Sequence, residues 1–153
     1  QALIATHPGL IDAARVAIRG WSFGGYLAGL AAVRRPDIFK AAIIGAPVTD
    51  FRLYDTFYTE RFMGPDAKSV NYEKSSLLNE AKNLQVPVMI IHGMVDDNVL
   101  VSNSLKLSSA LLEAGKAHEV LPLTGVTHMT PQEVVAENLM LLELDFLKRT
   151  LKI

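Results

Sequence analysis

An α/β fold built on a mostly parallel sheet, with helices on both of its faces, is what this sequence predicts, and three observations carry the expectation. Short apolar runs recur at Val16-Ala17-Ile18, Ala41-Ala42-Ile43-Ile44, Val86 to Ile91 and Val120 to Leu123. Each run is continuous rather than alternating, the pattern of a strand buried on both faces. Helical stretches lie between most of them, and strands that alternate with helices pair in parallel. At 153 residues the chain has the length of one domain, enough to bury roughly 68–70% of its unfolded surface.

Taken in order, the elements begin with a helix-like stretch that has no initiator Met, so residues 1–153 read as the carboxyl-terminal portion of a longer protein. The first strand, Val16 to Arg19, leads into a helix over Tyr26 to Arg35 that Pro36 stops. After the second strand the alternation breaks: Thr49 to Asn83 holds Phe51, Tyr54, Phe57, Tyr58, Phe62 and Tyr72, six of the eleven aromatics. It reads either as an irregular excursion packed on its own rings or as the apolar wall of a pocket. The third strand is followed by a helix capped by Ser102 and closed by Gly115. Beyond the fourth strand, Thr130-Pro131-Gln132-Glu133 has the pattern of a capping box with Pro at the first helical position. The last helix runs to Leu151, with Val135, Leu139, Leu142 and Phe146 forming a stripe for the sheet.

The net charge of −1 gives no field to attract polyanions, which argues against a nucleic-acid partner. With no cysteine there is neither a disulfide nor a thiolate metal site, and no metal or cofactor is called for. No apolar run reaches the length of a membrane span, and Gln1 to His7 lacks a secretory signal pattern. The chain reads as soluble, with the cytoplasm slightly favoured as its compartment.

Gly20-Trp21-Ser22-Phe23-Gly24 stands between the first strand and the first long helix. A strand-to-helix turn of this kind holds its central residue in a strained conformation and lifts the serine Oγ clear of the sheet, with Gly20 and Gly24 expected as the flanks that avoid clashes. The first free N–H groups of the helix, that of Phe23 among them, then point at the place where an oxyanion would form. Ser22 is the candidate nucleophile and needs a base, which in turn needs an orienting acid. Of the four histidines, His7 is near the terminus, His118 opens a strand and His92 ends one, where backbone partners would satisfy it. His128 lies in the turn after the last strand, on the same carboxyl-end rim as Ser22, and is the candidate base. The acid is expected in Gly93-Met94-Val95-Asp96-Asp97-Asn98, after the third strand; neighbouring side chains diverge, so either Asp96 or Asp97 reaches His128, but not both. The order Ser…Asp…His is that of α/β-hydrolases, of which these residues would form the carboxyl-terminal part.

At these residues the chain resembles the catalytic domain of the prolyl oligopeptidase family, nearest to its dipeptidyl peptidase IV branch. The likeness rests on Gly20 to Tyr26, on Ala46-Pro47-Val48, on Tyr54 to Gly64 with its Y-T-E-R-F-M-G string, and on Ile91-His92-Gly93 with Asp96 to Val99. The resemblance implies a serine peptidase that cleaves short peptides after Pro or Ala near the amino terminus through an acyl-enzyme. It implies Asp96 rather than Asp97 as the acid. It implies a proline-sized pocket lined by Phe23, Val48, Phe51, Tyr54, Tyr58 and Val99, with Asn98 holding a substrate carbonyl. A β-propeller, the first strands of the sheet and a tyrosine acting as second oxyanion donor would lie upstream, so these residues alone are expected to be nearly inactive. The rival readings are an esterase or another oligopeptidase on the same fold, and a non-catalytic module in which the bare edge at Val16 to Arg19 pairs with a second copy as a homodimer.

Overall fold

The computed structural model describes residues 1–153. In chain order the main elements are α1 (Ala2–Thr6), β1 (Ala17–Trp21), α2 (Phe23–Arg34), β2 (Ala41–Gly45), α3 (Thr56–Met63), α4 (Val70–Ser75), α5 (Leu77–Glu80), β3 (Val88–Gly93), α6 (Ser102–Glu113), β4 (Glu119–Leu123) and α7 (Glu133–Leu151). All four strands pair in parallel in the order β1-β2-β3-β4, with Ala17 opposite Ala41, Ala42 opposite Val88 and Met89 opposite Glu119. β3 starts two residues later than the apolar run suggests. Pro87 has no N–H to give, and joins the pairing only through its carbonyl, which accepts from Ala42 N at 3.0 Å. Pro122 is tolerated because β4 is an edge strand.

The apolar runs are continuous because both faces of the sheet are covered. Ala42, Ile44, Val88 and Ile90 point into a core shared with Tyr26, Leu77, Leu107 and Leu111 from α2, α5 and α6. The alternate residues Ala41, Ile43, Met89 and Ile91 meet Leu139 and Phe146 of α7. No helix is long and apolar enough to cross a membrane.

Four local expectations need correction. The stripe of α7 is Leu139, Glu143 and Phe146, while Leu142 is 48% exposed. Glu143 can take the inward position because Arg19 of β1 reaches it with two hydrogen bonds of 2.7 and 3.0 Å. Ser102 does not cap α6 but lies inside its first turn, and Val101 is the N-cap residue, with no side-chain bond. Asn103 organises that turn instead: fully buried, it accepts from Thr49 N through Oδ1 at 2.9 Å and donates to the Leu100 carbonyl. The capping box does not form either; α7 begins at Glu133 without a side-chain cap. Trp21 Nε1 donates to the His128 carbonyl at 2.7 Å, so the chain is held back near β1 and spends Thr130 to Gln132 on reaching the helix. Finally, the aromatic excursion is not irregular but folds as α3, α4 and α5 with short 3-10 turns. Gly115 does close α6, with φ +66 and Lys116 N bonded to the Leu111 carbonyl at 2.8 Å.

The α7 arrangement gives a measurable contrast. Phe146→Ala removes a ring that is 1% exposed, and should lower stability by about 3–5 kcal/mol in chemical denaturation. Leu142→Ala, on the outward side, should cost less than about 0.5 kcal/mol. Equal losses would mean that the stripe is the one the apolar spacing suggested.

Candidate active site

Ser22 follows β1 as the N-cap residue of α2 and has φ 58 and ψ −123, a region that residues with a Cβ seldom occupy. Its backbone is held there from two sides: Ser22 N donates to the Gly45 carbonyl at 2.8 Å, and the Ser22 carbonyl accepts from Tyr26 N at 3.1 Å. A serine at an N-cap usually turns its hydroxyl back to the helix. Ser22 makes no such bond, and its Oγ lies 3.0 Å from His128 Nε2.

Close backbone packing explains which glycines matter. A Cβ on Gly20 would sit 1.9 Å from the Gly24 carbonyl oxygen, and one on Gly25 would sit 2.3 Å from that of Gly45. Gly24 has open space around its Cβ position, so the second glycine that the turn needs within these residues is Gly25, not Gly24. Phe23 is the first residue of α2, and the N–H groups of a first helical turn have no partner inside the helix.

The loops after β3 and β4 are bonded to each other, Met94 N to the Leu123 carbonyl at 3.0 Å and Val95 N to that of Val126 at 3.2 Å. Gly93 lets them meet: its Cβ would lie 2.2 Å from the Thr127 carbonyl oxygen. This pairing brings Asp96 Oδ2 to 2.8 Å from His128 Nδ1. Asp97 is exposed, and Asp96 is the carboxylate that meets the imidazole. The Asp96 side chain is fully buried, yet supplied with donors, because Oδ1 also accepts from Asn98 N at 3.0 Å and Val99 N at 2.9 Å. A carboxylate can only accept, so His128 Nδ1 carries a proton and its bare Nε2 faces the Ser22 hydroxyl.

The other expected site residues divide into two groups. Val48, Phe51 and Val99 are buried in the core at 4%, 5% and 0% exposure, and stand behind the surface rather than on it. Phe23 and Tyr58 are exposed and Tyr54 is half-buried, its ring edge-on to Tyr58 with centroids 5.6 Å apart. Tyr54 Oη donates to Asn98 Oδ1 at 2.9 Å, which leaves the Asn98 amide N–H groups free to donate. Burial pushes the Tyr54 hydroxyl above its ordinary pKa, with Asp55, Tyr58 and Asp96 adding to the effect, so it stays a donor at neutral pH. No three His, Asp or Glu side chains cluster as metal ligands. A cavity of about 610 Å³ lies at the other end of the sheet between Leu84–Val88 and Gly115–Glu119. Sequence reasoning missed Trp21, which anchors the His128 backbone, and Gly93; the only signal for them was adjacency to Ser22 and to the third strand's end.

Comparison with known proteins places the chain among peptidases. Mouse dipeptidyl peptidase 8 is 41% identical over 121 residues, which cover 76% of this chain and 14% of that protein. Dipeptidyl peptidase 4 of Sus scrofa is 39% identical over 124 residues, covering 78% and 16%. The chain thus spans about a sixth or less of the curated relatives it matches. The crystal structure of Porphyromonas gingivalis dipeptidyl peptidase 4 superposes with a TM-score of 0.89 at 35% identity over 97% of this chain and 21% of that one. A putative dipeptidyl aminopeptidase IV from Bacteroides ovatus gives 0.91 at 26% identity, with the same coverage. The parallel sheet with its covering helices is thus one instance of a shared α/β-hydrolase architecture, and since residues 1–153 all match the model of the prolyl oligopeptidase family, the chain belongs to that family.

Proposed function

We propose that this chain carries the nucleophile, base and acid of a serine peptidase that cleaves short peptides after Pro or Ala near their amino termini. The observation that carries the reading is the unbroken line of hydrogen bonds from Ser22 Oγ through the His128 ring to buried Asp96. Ser22 Oγ attacks the scissile carbonyl carbon while its proton passes to His128 Nε2. Asp96 stabilises the imidazolium, and the Phe23 N–H donates to the oxyanion. The tetrahedral intermediate expels the amine, which takes the proton from His128. Water then hydrolyses the acyl-enzyme by the same route, returning the proton to Ser22.

The substrate class is supported by the relatives, which are named dipeptidyl peptidases, and by the Tyr54–Tyr58 pair beside Asn98. The two rings contact each other edge to face and offer a rigid apolar surface against which a small P1 side chain such as proline can pack, and Asn98 can donate to a substrate carbonyl. In the full-length protein, Tyr54→Ala should lower kcat/KM for an Xaa-Pro anilide by about 10- to 100-fold, the loss of one well-placed aromatic contact with its hydrogen bond. A small acetate ester should lose several-fold less. Equal losses on the two substrates would mean that the two rings only pack.

A second reading concerns assembly. β1 is an outer strand of the sheet, with its far side unpaired within these residues. The 153-residue chain on its own is therefore proposed to pair β1 with β1 of a second copy as a two-fold dimer. Light scattering at high concentration should give twice the monomer mass of 16.7 kDa; a stable monomer would refute the pairing.

A further inference from the structure

We infer that His92 is a positioning residue for the Asp96–His128 pair, holding the Asp96 turn from inside the sheet; the inference rests on the reading of Ser22, His128 and Asp96 given above. His92 lies in β3, which is paired on both sides, and its side chain is 2% exposed. Its Nε2 is 2.7 Å from the Val99 carbonyl oxygen and 3.2 Å from Asp96 Oδ2. Its Nδ1 is 2.7 Å from the hydroxyl of Ser104, a buried residue of α6.

These partners fix the tautomer. A carbonyl can only accept, so Nε2 carries the proton, and Nδ1 then accepts from Ser104. Burial holds the His92 pKa below its ordinary value, so the 3.2 Å approach to Asp96 sets the polarised N–H edge of a neutral ring, whose proton is given to Val99, beside the carboxylate rather than forming an ion pair. Asp96 Oδ2 thus takes a hydrogen bond from His128 at 2.8 Å, with the His92 N–H edge 3.2 Å away behind it. Val99 closes the arrangement by donating its N–H to Asp96 Oδ1 and offering its carbonyl to His92. Two of the donors to Asp96 come from the same short turn and move with it; His92, fixed by the strand ladder, ties that turn to the sheet through the Val99 carbonyl.

The ionisable groups around His92 are Asp96 and His128, with the Tyr54 hydroxyl felt by Asp96 from the other side. Because His92 is itself neutral, its replacement alters the pH profile only through the Asp96–His128 pair. Removing the N–H edge beside the carboxylate leaves more of its charge for His128, and the imidazole then holds its proton more tightly.

The test compares His92→Met, which removes the donor at similar length, with His92→Gln, which keeps an N–H group where Nε2 stood, both in the full-length protein on an Xaa-Pro anilide. His92→Met should lower kcat by about 10-fold, the loss of the hydrogen bond that holds the Val99 carbonyl and of the N–H edge beside Asp96, with KM little changed. Its ascending limb of kcat/KM against pH should move to higher pH, and His92→Gln should recover both kcat and the limb. A limb that stays in place in His92→Met, or a Gln variant as impaired as Met, overturns the inference. Should His92→Met fail to fold, nitrogen-15 histidine spectra of the unmutated protein decide. His92 must remain a neutral Nε2–H ring across the pH range in which activity rises, and an Nδ1–H ring or a titrating one overturns the inference. Ser22→Ala is assayed alongside: an active Ser22→Ala protein overturns the reading of the site itself. An inert one beside an unimpaired His92→Met overturns only the role of His92.

Discussion

Ser22→Ala in the full-length protein should reduce kcat on Xaa-Pro anilides by about 10⁶-fold, and His128→Ala should do the same, with the double variant hardly worse than either. The three side chains form one line of hydrogen bonds, and a proton relay with a missing member does not run at partial strength. Asp96→Asn should lose about 10⁴-fold, because an amide at that position favours the wrong imidazole tautomer. The Ser22→Ala loss should come without a loss of fold. Alanine, like serine, bears a Cβ, so φ 58 strains both alike, and the Ser22 hydroxyl does not cap α2. Denaturation midpoints for Ser22→Ala should stay within about 0.5 kcal/mol of the parent. Losses that add up in the double variant would show that Ser22 and His128 act separately, and the proposed mechanism would fail.

Gly93→Ala carries the second large effect, and it reaches the chemistry without touching a reacting group. The added methyl carbon would stand 2.2 Å from the Thr127 carbonyl oxygen and 2.4 Å from that of Val126. Both are backbone atoms, so no side-chain rotation relieves the contact and the His128 loop has to move. A displacement of about 1 Å at a reacting group costs on the order of 10²-fold, and kcat should fall by at least that. KM should change little, since Tyr54, Tyr58 and Asn98 do not rest on this contact. A Gly93→Ala protein with the parent's kcat would show that the loop is slack and that the line from Ser22 to Asp96 does not depend on its seating.

Much of this was legible in the chain itself, for identifiable reasons. The strands were readable because burial on both faces leaves Ile43, Ile44, Ile90 and Ile91 no polar neighbours to interrupt them. Ser22, Asp96 and His128 were readable because each follows a strand, where a parallel sheet gathers its loops. Choosing between Asp96 and Asp97 took a family likeness, since both follow β3 and only the turn's folded shape separates them. Glu143 in the α7 stripe was not legible because its partner Arg19 lies 124 positions away. The same holds for Ser102 and the failed capping box, where Asn103–Thr49 and Trp21–His128 contacts override local preference. Gly25, Gly45 and Gly93 gave no signal either; what they admit is a neighbour brought close only by folding.

The bonds joining the loops after β3 and β4 divide the machinery into two bodies. Asp96 and His128 ride together on one, and Ser22, fixed to β1 and α2, rides on the other, with the Trp21 indole as the tie between them. A slight parting of the sheet between β2 and β3 would lengthen the Ser22–His128 approach and leave the Asp96–His128 bond whole. The imidazole would then wait in the tautomer it needs, and closing would restore a competent nucleophile in one mechanical step with no proton to rearrange.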